Sequence, residues 1–81
     1  MTTEFVIMDT SVKYQNARSI LEEGLFYNSE MKWCRKLELA TKFADAESAI
    51  KVAKELLQEL PVKVLVIQSE NNRTGVGEIK F

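Results

Sequence analysis

The clearest pattern of apolar and polar positions lies between residues 45 and 60. Apolar residues recur there every three or four positions, which is the period of an α-helix with one buried face. They are Ala46, Ala49, Ile50, Ala53, Leu56, Leu57 and Leu60. Asp45 is the predicted N-cap, and Pro61 stops the helix because proline lacks an N–H and disfavours helical geometry in the residue before it. The spacing predicts a long amphipathic helix over residues 45–60.

A different period follows this helix. Residues 62–68, VKVLVIQ, are β-branched and apolar at both alternating sets of positions, which is typical of a central strand. Asn71, Asn72 and Gly75 are turn residues that tolerate positive φ, and VGEIKF then predicts a short returning strand. Gly77 within that strand indicates a bulge or a close approach of another group to the backbone. The pattern predicts a β-hairpin near the end of the sequence.

The first half of the chain has weaker periodicity. EFVIMD predicts a strand from about Glu4 to Met8. Residues 11–23 predict a second, short helix with Thr10 or Ser11 as its N-cap, an apolar stripe that includes Val12, and Gly24 as its stop; a hairpin or loop is the alternative. LFYN and MKWCRKLEL then predict two strands joined by a tight turn at residues 28–30.

The predicted element order is β, α, β, β, α, β, β. Its first six elements match the split βαβ pattern of ferredoxin-like folds, βαββαβ, with one added edge strand. Without the first helix, the prediction is a sheet of four or five strands with a single helix across one face. In both cases the sequence predicts one α+β domain over residues 1–81, with two layers and a mostly antiparallel sheet.

Composition excludes several function classes. The chain has 81 residues, a net charge of −1, one cysteine and no histidine. The charge does not favour a general nucleic-acid binder, and the missing histidine removes the commonest neutral-pH base and zinc ligand. The acidic N-terminal residues, the short apolar runs and the lone cysteine predict a cytoplasmic protein without a signal peptide or membrane span. The sequence contains no phosphate-binding loop, HExxH or CxxC, so we expect no catalytic residues, metal or cofactor.

The segment EMKWCRKLEL, residues 30–39, contains the only tryptophan and the only cysteine. As a strand, it would place Met31, Trp33, Leu37 and Leu39 on one face and Cys34 between two lysines on the other. Trp33 is then predicted to lie in the core. Neighbouring cations raise the reactivity of a thiol, but a nucleophilic cysteine also needs a positioned base, so we expect Cys34 to be chemically idle.

The surface itself is the remaining candidate for function. A terminal edge strand would offer unpaired N–H and C=O groups to a protein partner, and the chain has more large apolar residues than one helix-covered face buries. The sequence predicts a small protein-interaction module, with a homodimer as one form. The candidate interaction residues are Phe26, Tyr27, Lys32, Arg35, Lys36, Arg73 and Phe81. The alternative is single-stranded nucleic-acid binding through a sheet face formed by Trp33, Lys32, Arg35 and Lys36.

From Trp33 to Val66 the sequence resembles small α+β accessory proteins of bacteriophages and mobile elements, whose function is unknown. The resemblance is carried by Trp33, by Ala40 and Phe43 before the long helix, by Ala46 and Ala49 within it, and by VKV at residues 62–64. Such proteins frequently bind and inhibit a host protein. The resemblance therefore implies an accessory or inhibitory role through protein binding.

Overall fold

The structure of the protein is a computed structural model, which describes residues 2–11 and 16–81. Along the chain these residues form eight elements of secondary structure. They are β1 (Thr2–Asp9), α1 (Ala17–Glu23), β2 (Phe26–Asn28), β3 (Lys32–Cys34), a 3-10 turn (Leu37–Leu39), α2 (Ala46–Leu56), β4 (Val62–Glu70) and β5 (Arg73–Ile79). The predicted α+β class is confirmed.

The five strands form one antiparallel sheet in the order β3-β2-β1-β4-β5. β1 and β4 pair along eight residues, from Thr2 opposite Ser69 to Asp9 opposite Val62. β4 therefore has a neighbour on each side, which confirms the central strand predicted from its apolar pattern. The sheet is longest at its centre, and its β3 end is only three residues long.

The ferredoxin-like arrangement is not confirmed. In a split βαβ unit the first two strands run parallel, with another strand between them. Here β1 and β2 are antiparallel neighbours, and Met8 lies opposite Phe26. The N–H of Asp9 also donates to the carbonyl of Leu25 at 3.0 Å, so the chain returns alongside β1 instead of crossing over the sheet.

One face of the sheet, which we call the α2 face, packs against the long helix. Its fully buried strand residues include Ile7 of β1 and Val64 of β4. Ala49 and Ala53 of α2 are also fully buried, and their small side chains let the helix axis approach the sheet closely. This packing is the one predicted from the helical period.

The opposite face, the α1 face, is covered as well. Side chains alternate along a strand, so Val6 and Met8 point away from α2. They form a second buried cluster with Phe26, and Ile20 of α1 and Leu37 of the 3-10 turn pack against it. The predicted two-layer arrangement is therefore wrong at the centre of the sheet, where apolar side chains are covered on both sides.

The long helix begins as predicted and ends early. Asp45 caps it, because its Oδ1 accepts a hydrogen bond from the N–H of Ser48 at 2.8 Å. The helix ends at Leu56 instead of residue 60. After it the chain tightens, and the N–H of Glu59 donates to the carbonyl of Leu56 three residues earlier. Pro61 disfavours helical geometry only at the residue before it, Leu60, so the helix ends four residues earlier than Pro61 requires.

The Asp45 cap makes a prediction about pH. The hydrogen bond from Ser48 lowers the pKa of the Asp45 carboxyl, so the folded state favours the charged carboxylate. This stabilisation is present above the carboxyl's ordinary pKa and is lost as the pH falls through the lowered pKa of the folded state. Asparagine caps a helix as well as aspartate but does not titrate. We expect the melting temperature of Asp45→Asn to fall less between pH 5 and about pH 2 than that of the parent protein.

Thermal unfolding followed by circular dichroism at a series of pH values measures this difference. Asp45→Ala is the control, because it removes both the cap and the charge and should melt lower than Asp45→Asn at neutral pH. Identical acid dependence in the parent protein and Asp45→Asn would contradict the prediction.

The first helix is shorter than the predicted span of residues 11–23. It begins at Ala17, and its N-cap is Asn16, whose Oδ1 accepts from the N–H of Ser19 at 2.9 Å. Thr10 and Ser11 are therefore not its caps, and the predicted apolar residue Val12 lies outside the described residues. Gly24 ends the helix as predicted. A Cβ atom there would collide with the carbonyl of Ile20 and lie 2.8 Å from the ring of Phe26.

The prediction that residues 31–39 form one strand is wrong. Only Lys32–Cys34 pairs as a strand, and Leu37–Leu39 forms the 3-10 turn. Asn28 explains the shape of this region. Its Oδ1 accepts from the N–H groups of Glu30 and Met31 at 2.8 and 2.9 Å, and its Nδ2 donates to the carbonyl of Leu39. One side chain thus closes the hairpin turn and holds the 3-10 turn beside it.

Candidate interaction surface

β5 is the last strand in the sheet order, and within the described part of the chain no strand pairs with its outer side. It pairs with β4 at all seven of its residues, from Arg73 opposite Glu70 to Ile79 opposite Val64. The register is regular, so the predicted bulge at Gly77 is not formed. The close approach predicted there is confirmed, because a Cβ on Gly77 would lie 3.0 Å from Cγ1 of Val66.

The turn before β5 determines which backbone groups face outward. Asn71 and Asn72 have φ values of 48° and 66°, as a two-residue type I′ turn requires. Gly75, by contrast, does not use the positive φ considered for it. In such a hairpin the closing pair, Glu70 and Arg73, is hydrogen-bonded, and hydrogen-bonded pairs recur at every second residue.

The alternate residues therefore direct their N–H and C=O groups away from β4. These residues are Thr74, Val76 and Glu78, and we call their outward backbone groups the β5 edge. Thr74 and Glu78 are exposed, whereas Val76 is partly buried and packs against the α1-face cluster. The β5 edge is thus a line of donors and acceptors on a strand that the core holds in place.

An apolar patch adjoins the C-terminal end of β5. Leu57 and Phe81 are 45% and 47% exposed, although both are large apolar side chains. With Val62 and Ile79 they line a shallow depression of about 390 Å³. Lys63 and Glu78 also line it, and their charged atoms lie 3.8 Å apart. We call this the Leu57–Phe81 patch.

A groove of about 650 Å³ lies on the α1 face between α1, the 3-10 turn and the sheet. Leu21 and Leu37 supply its apolar wall, and Thr74 of β5 lies at its sheet side. Arg35 and Lys36 also line it, and neither has a carboxylate partner within 4.0 Å in the described part of the chain. We call this the α1-face groove.

Of the four other charged side chains that line the α1-face groove, two are already engaged. Lys42 folds back over the 3-10 turn, and its Nζ donates to the carbonyls of Leu37 and Ala40 at 2.6 and 3.0 Å. Glu22 accepts a hydrogen bond from Nε of Arg18 at 2.9 Å, which raises the pKa of Arg18 through that bond and the attraction between the charges. Glu4 and Glu38 also line the groove and have no cation within 4.0 Å among the described residues, so two unpaired carboxylates balance the two unpaired cations, Arg35 and Lys36.

Trp33 lies on the other side of the sheet. It packs against the α2-face cluster and is partly buried, as is Tyr27 opposite it on β2. The two rings meet edge to face, with centroids 6.2 Å apart and an angle of 81° between their planes. Lys32 reaches the turn after α2, where its Nζ lies 2.9 Å from Oε2 of Glu59. The predicted core position of Trp33 is therefore borne out in part.

The structure does not bring the predicted interaction residues together. Phe26 is fully buried between the sheet and Gly24, so it cannot contact a partner of the folded protein. Lys32 and Tyr27 belong to the α2 face, whereas Arg35 and Lys36 line the α1-face groove. The remaining two, Arg73 and Phe81, lie near opposite ends of β5.

The contiguous surface consists instead of the β5 edge with features at its two ends. Sequence analysis predicted the edge strand, but it did not identify Leu57 or the α1-face groove. Leu57 was assigned to the buried stripe of α2, but it is the C-cap of that helix and is exposed. Met31 and Leu39, predicted to face the core, are also exposed, at 60% and 49%.

Two classes of site are absent from the described residues. In residues 2–11 and 16–81, no three His, Cys, Asp or Glu side chains form a group that could hold a metal ion. No helix within the same ranges is long and apolar enough to cross a membrane. No protein-family model, curated protein or solved structure matches the chain. The resemblance to bacteriophage accessory proteins thus stays a prediction.

Proposed function

We propose that this protein is a non-enzymatic protein-interaction module that binds an extended segment of a partner along the β5 edge. The observation that carries the proposal is the regular seven-residue pairing of β5 with β4, which leaves Thr74, Val76 and Glu78 with outward backbone groups. An added strand would satisfy these groups, as in other cases of β-augmentation. The backbone supplies affinity in this mode, and side-chain pockets supply specificity.

One feature supports a protein partner with some sequence preference. The Leu57–Phe81 patch would receive apolar side chains beyond one end of the added strand. The α1-face groove, which Thr74 also lines, holds three cations and three carboxylates and so sets no charge preference. The preferred ligand is therefore an extended peptide with an apolar residue near one end.

The arrangement of cations favours this proposal over single-stranded nucleic-acid binding. A base-stacking sheet face needs exposed aromatic rings beside cations on one surface. Here Trp33 packs in the α2-face cluster, while Arg35 and Lys36 line the groove on the opposite side. Lys32 is near Trp33, but its charge is paired with Glu59.

The proposal also covers the cellular compartment of the protein and its biological role. The single cysteine, Cys34, is buried and unpaired, which fits a protein that works in the reducing cytoplasm. The resemblance to bacteriophage accessory proteins would make the partner a host protein whose activity is blocked by strand addition.

Selection from a library of random extended peptides tests the proposed function. Thr74→Pro removes one outward N–H from the edge strand, where proline is tolerated, and Thr74→Val keeps that N–H and the β-branched shape. We expect selected peptides to bind the parent protein and Thr74→Val, and to bind Thr74→Pro at least about 10-fold more weakly, because a hydrogen bond is lost and the ring obstructs the edge.

Circular dichroism of the two variants establishes that both are folded. The control is the same selection on a support that carries no protein. The proposal is overturned if no peptide is enriched relative to that control, or if the selected peptides bind Thr74→Pro as tightly as they bind Thr74→Val.

A further inference from the structure

We propose that the ligand of the β5 edge is an extended peptide that runs antiparallel to β5 and places an aromatic side chain over Gly75. An apolar residue precedes that aromatic residue by four positions in the peptide. This inference rests on the proposed function, because it uses the same edge. It adds the direction of the peptide and the kind of side chain that is selected near the turn before β5.

Neither the backbone nor the packing of the folded chain requires a glycine at residue 75. Glycine weakens a strand, since it has no side chain to pack and loses more conformational freedom on folding than other residues. The φ of Gly75 is not positive. Outside its two chain neighbours, the nearest described atom to a Cβ there would be the carbonyl oxygen of Gln68, at 4.0 Å. A strand glycine often marks a place where a ligand approaches the backbone closely, and at Gly75 this is the cause that remains.

A depression of about 580 Å³ lies at Gly75. Its other lining residues are polar, and they are Gln68, Glu70, Asn71 and Arg73. Gly75 and Ile79 lie four residues apart in a regularly paired strand, so both belong to the α2 face, against which Ile79 packs. Ile79 also lines the Leu57–Phe81 patch. One strand added beside β5 would therefore reach the depression and the patch with side chains of a single face, four residues apart.

The depression favours an aromatic side chain. Thr74 and Val76 would form the backbone hydrogen bonds of the edge, so the peptide residue opposite Gly75 is in a non-hydrogen-bonded pair, where the Cα atoms are about 4.5 Å apart. At this distance a flat ring can cover the bare glycine backbone. The ring would also reach the guanidinium of Arg73, which stacks on aromatic faces and has no carboxylate within 4.0 Å in the described part of the chain.

The sheet favours one direction for the peptide. All four strand pairs in the described sheet are antiparallel, and antiparallel pairing is slightly more stable per residue than parallel pairing. In this direction the peptide passes Ile79 first and reaches Gly75 four residues later. The ligand sequence is therefore an apolar residue, three residues of extended strand, and then an aromatic residue.

Fluorescence anisotropy of labelled heptapeptides with the full chain tests this inference. The probe is Thr-Leu-Lys-Thr-Val-Tyr-Thr, which in the proposed register places leucine opposite Ile79 and tyrosine opposite Gly75. A second peptide has leucine and tyrosine exchanged, so it could put tyrosine over Gly75 only by running parallel. A third has alanine in place of tyrosine. We expect the second and third peptides to bind about 3- to 10-fold more weakly than the probe, because an open depression buries only part of a ring.

Gly75→Val makes the test specific for the depression. Its side chain occupies the space that the ring would cover, and valine suits a strand position with free room at Cβ, so the variant is expected to fold. We expect the change from tyrosine to alanine in the probe to weaken binding to Gly75→Val by less than about 2-fold. Thr74→Val is the matched control, because residue 74 points to the α1 face, and it should keep the full effect of the tyrosine.

Two comparisons can overturn the inference. It fails if the exchanged peptide binds as tightly as the probe, or if the tyrosine contributes equally to binding of the parent protein and of Gly75→Val. It also fails if the probe does not bind at about 1 mM protein. In each case the proposed function stands as long as selected peptides bind in a Thr74→Pro-sensitive manner. If no peptide binds in that manner, both proposals fail.

Discussion

Phe26→Ala is expected to lower the free energy of unfolding by about 3–5 kcal/mol, the usual cost of truncating a buried phenylalanine. Phe26 is fully buried, and it joins the short β2–β3 hairpin to the centre of the sheet. Its ring also lies against Gly24 at the end of α1, so the cavity would border three elements. Natural domains are stable by roughly 0.05–0.15 kcal/mol per residue, which for a chain this size makes the loss a large part of the total.

Phe81→Ala is the matched control, because it removes the same ring from a side chain that is 47% exposed. Surface substitutions away from a core cost within about 0.5 kcal/mol. Urea unfolding followed by tryptophan fluorescence and circular dichroism would measure both variants. Equal losses in the two variants would contradict the assignment of Phe26 to the core and Phe81 to the surface.

The contrast between these two phenylalanines shows what the sequence could predict. The sequence predicts α2 because its apolar residues recur at helical spacing, and it predicts β4 because that segment is a run of β-branched residues. The β4–β5 hairpin was predictable because Asn71-Asn72 is strong turn chemistry.

Other features depended on contacts that no local pattern encodes. In LFYN the two aromatic residues are adjacent, so their side chains point to opposite faces of the strand. The pattern cannot show which of the two is buried when both faces of the sheet are covered. Phe26 and Tyr27 were therefore grouped as surface residues, although one is fully buried and the other packs against Trp33. The 3-10 turn was missed because Asn28 holds it from eleven residues away.

The sequence pattern could not predict the α1-face groove, for a related reason. Arg35 and Lys36 lie in a segment predicted to be a strand, where they would have pointed to opposite faces. Because β3 ends at Cys34, the chain bends and both side chains line one groove. The groove thus results from a short strand and from the Lys42 ammonium, which holds the following turn in shape.

The buried position of Cys34 makes the second prediction with a large expected effect. Its side chain is 5% exposed, lies opposite Phe26 in the β2–β3 pair and belongs to the α1-face cluster. The Sγ atom faces the carbonyl of Lys36 at 3.5 Å. A thiol reagent can therefore reach the sulfur only when the structure opens, and we expect labelling of the folded protein to be at least about 100-fold slower than labelling of the unfolded chain.

The thiol reagent is a disulfide that releases a coloured thiolate when it reacts. The absorbance of that thiolate, followed at one pH without and with denaturant, measures the labelling rates of the folded protein and of the unfolded chain. Phe26→Ala makes the test specific for the core. If opening exposes the whole cluster, its loss of about 3–5 kcal/mol raises the labelling rate of the folded protein by at least about 100-fold, while Phe81→Ala leaves the rate near that of the parent protein. A parent thiol that reacts faster than free cysteine would instead be an activated nucleophile, and the non-enzymatic function proposed for this domain would then be wrong.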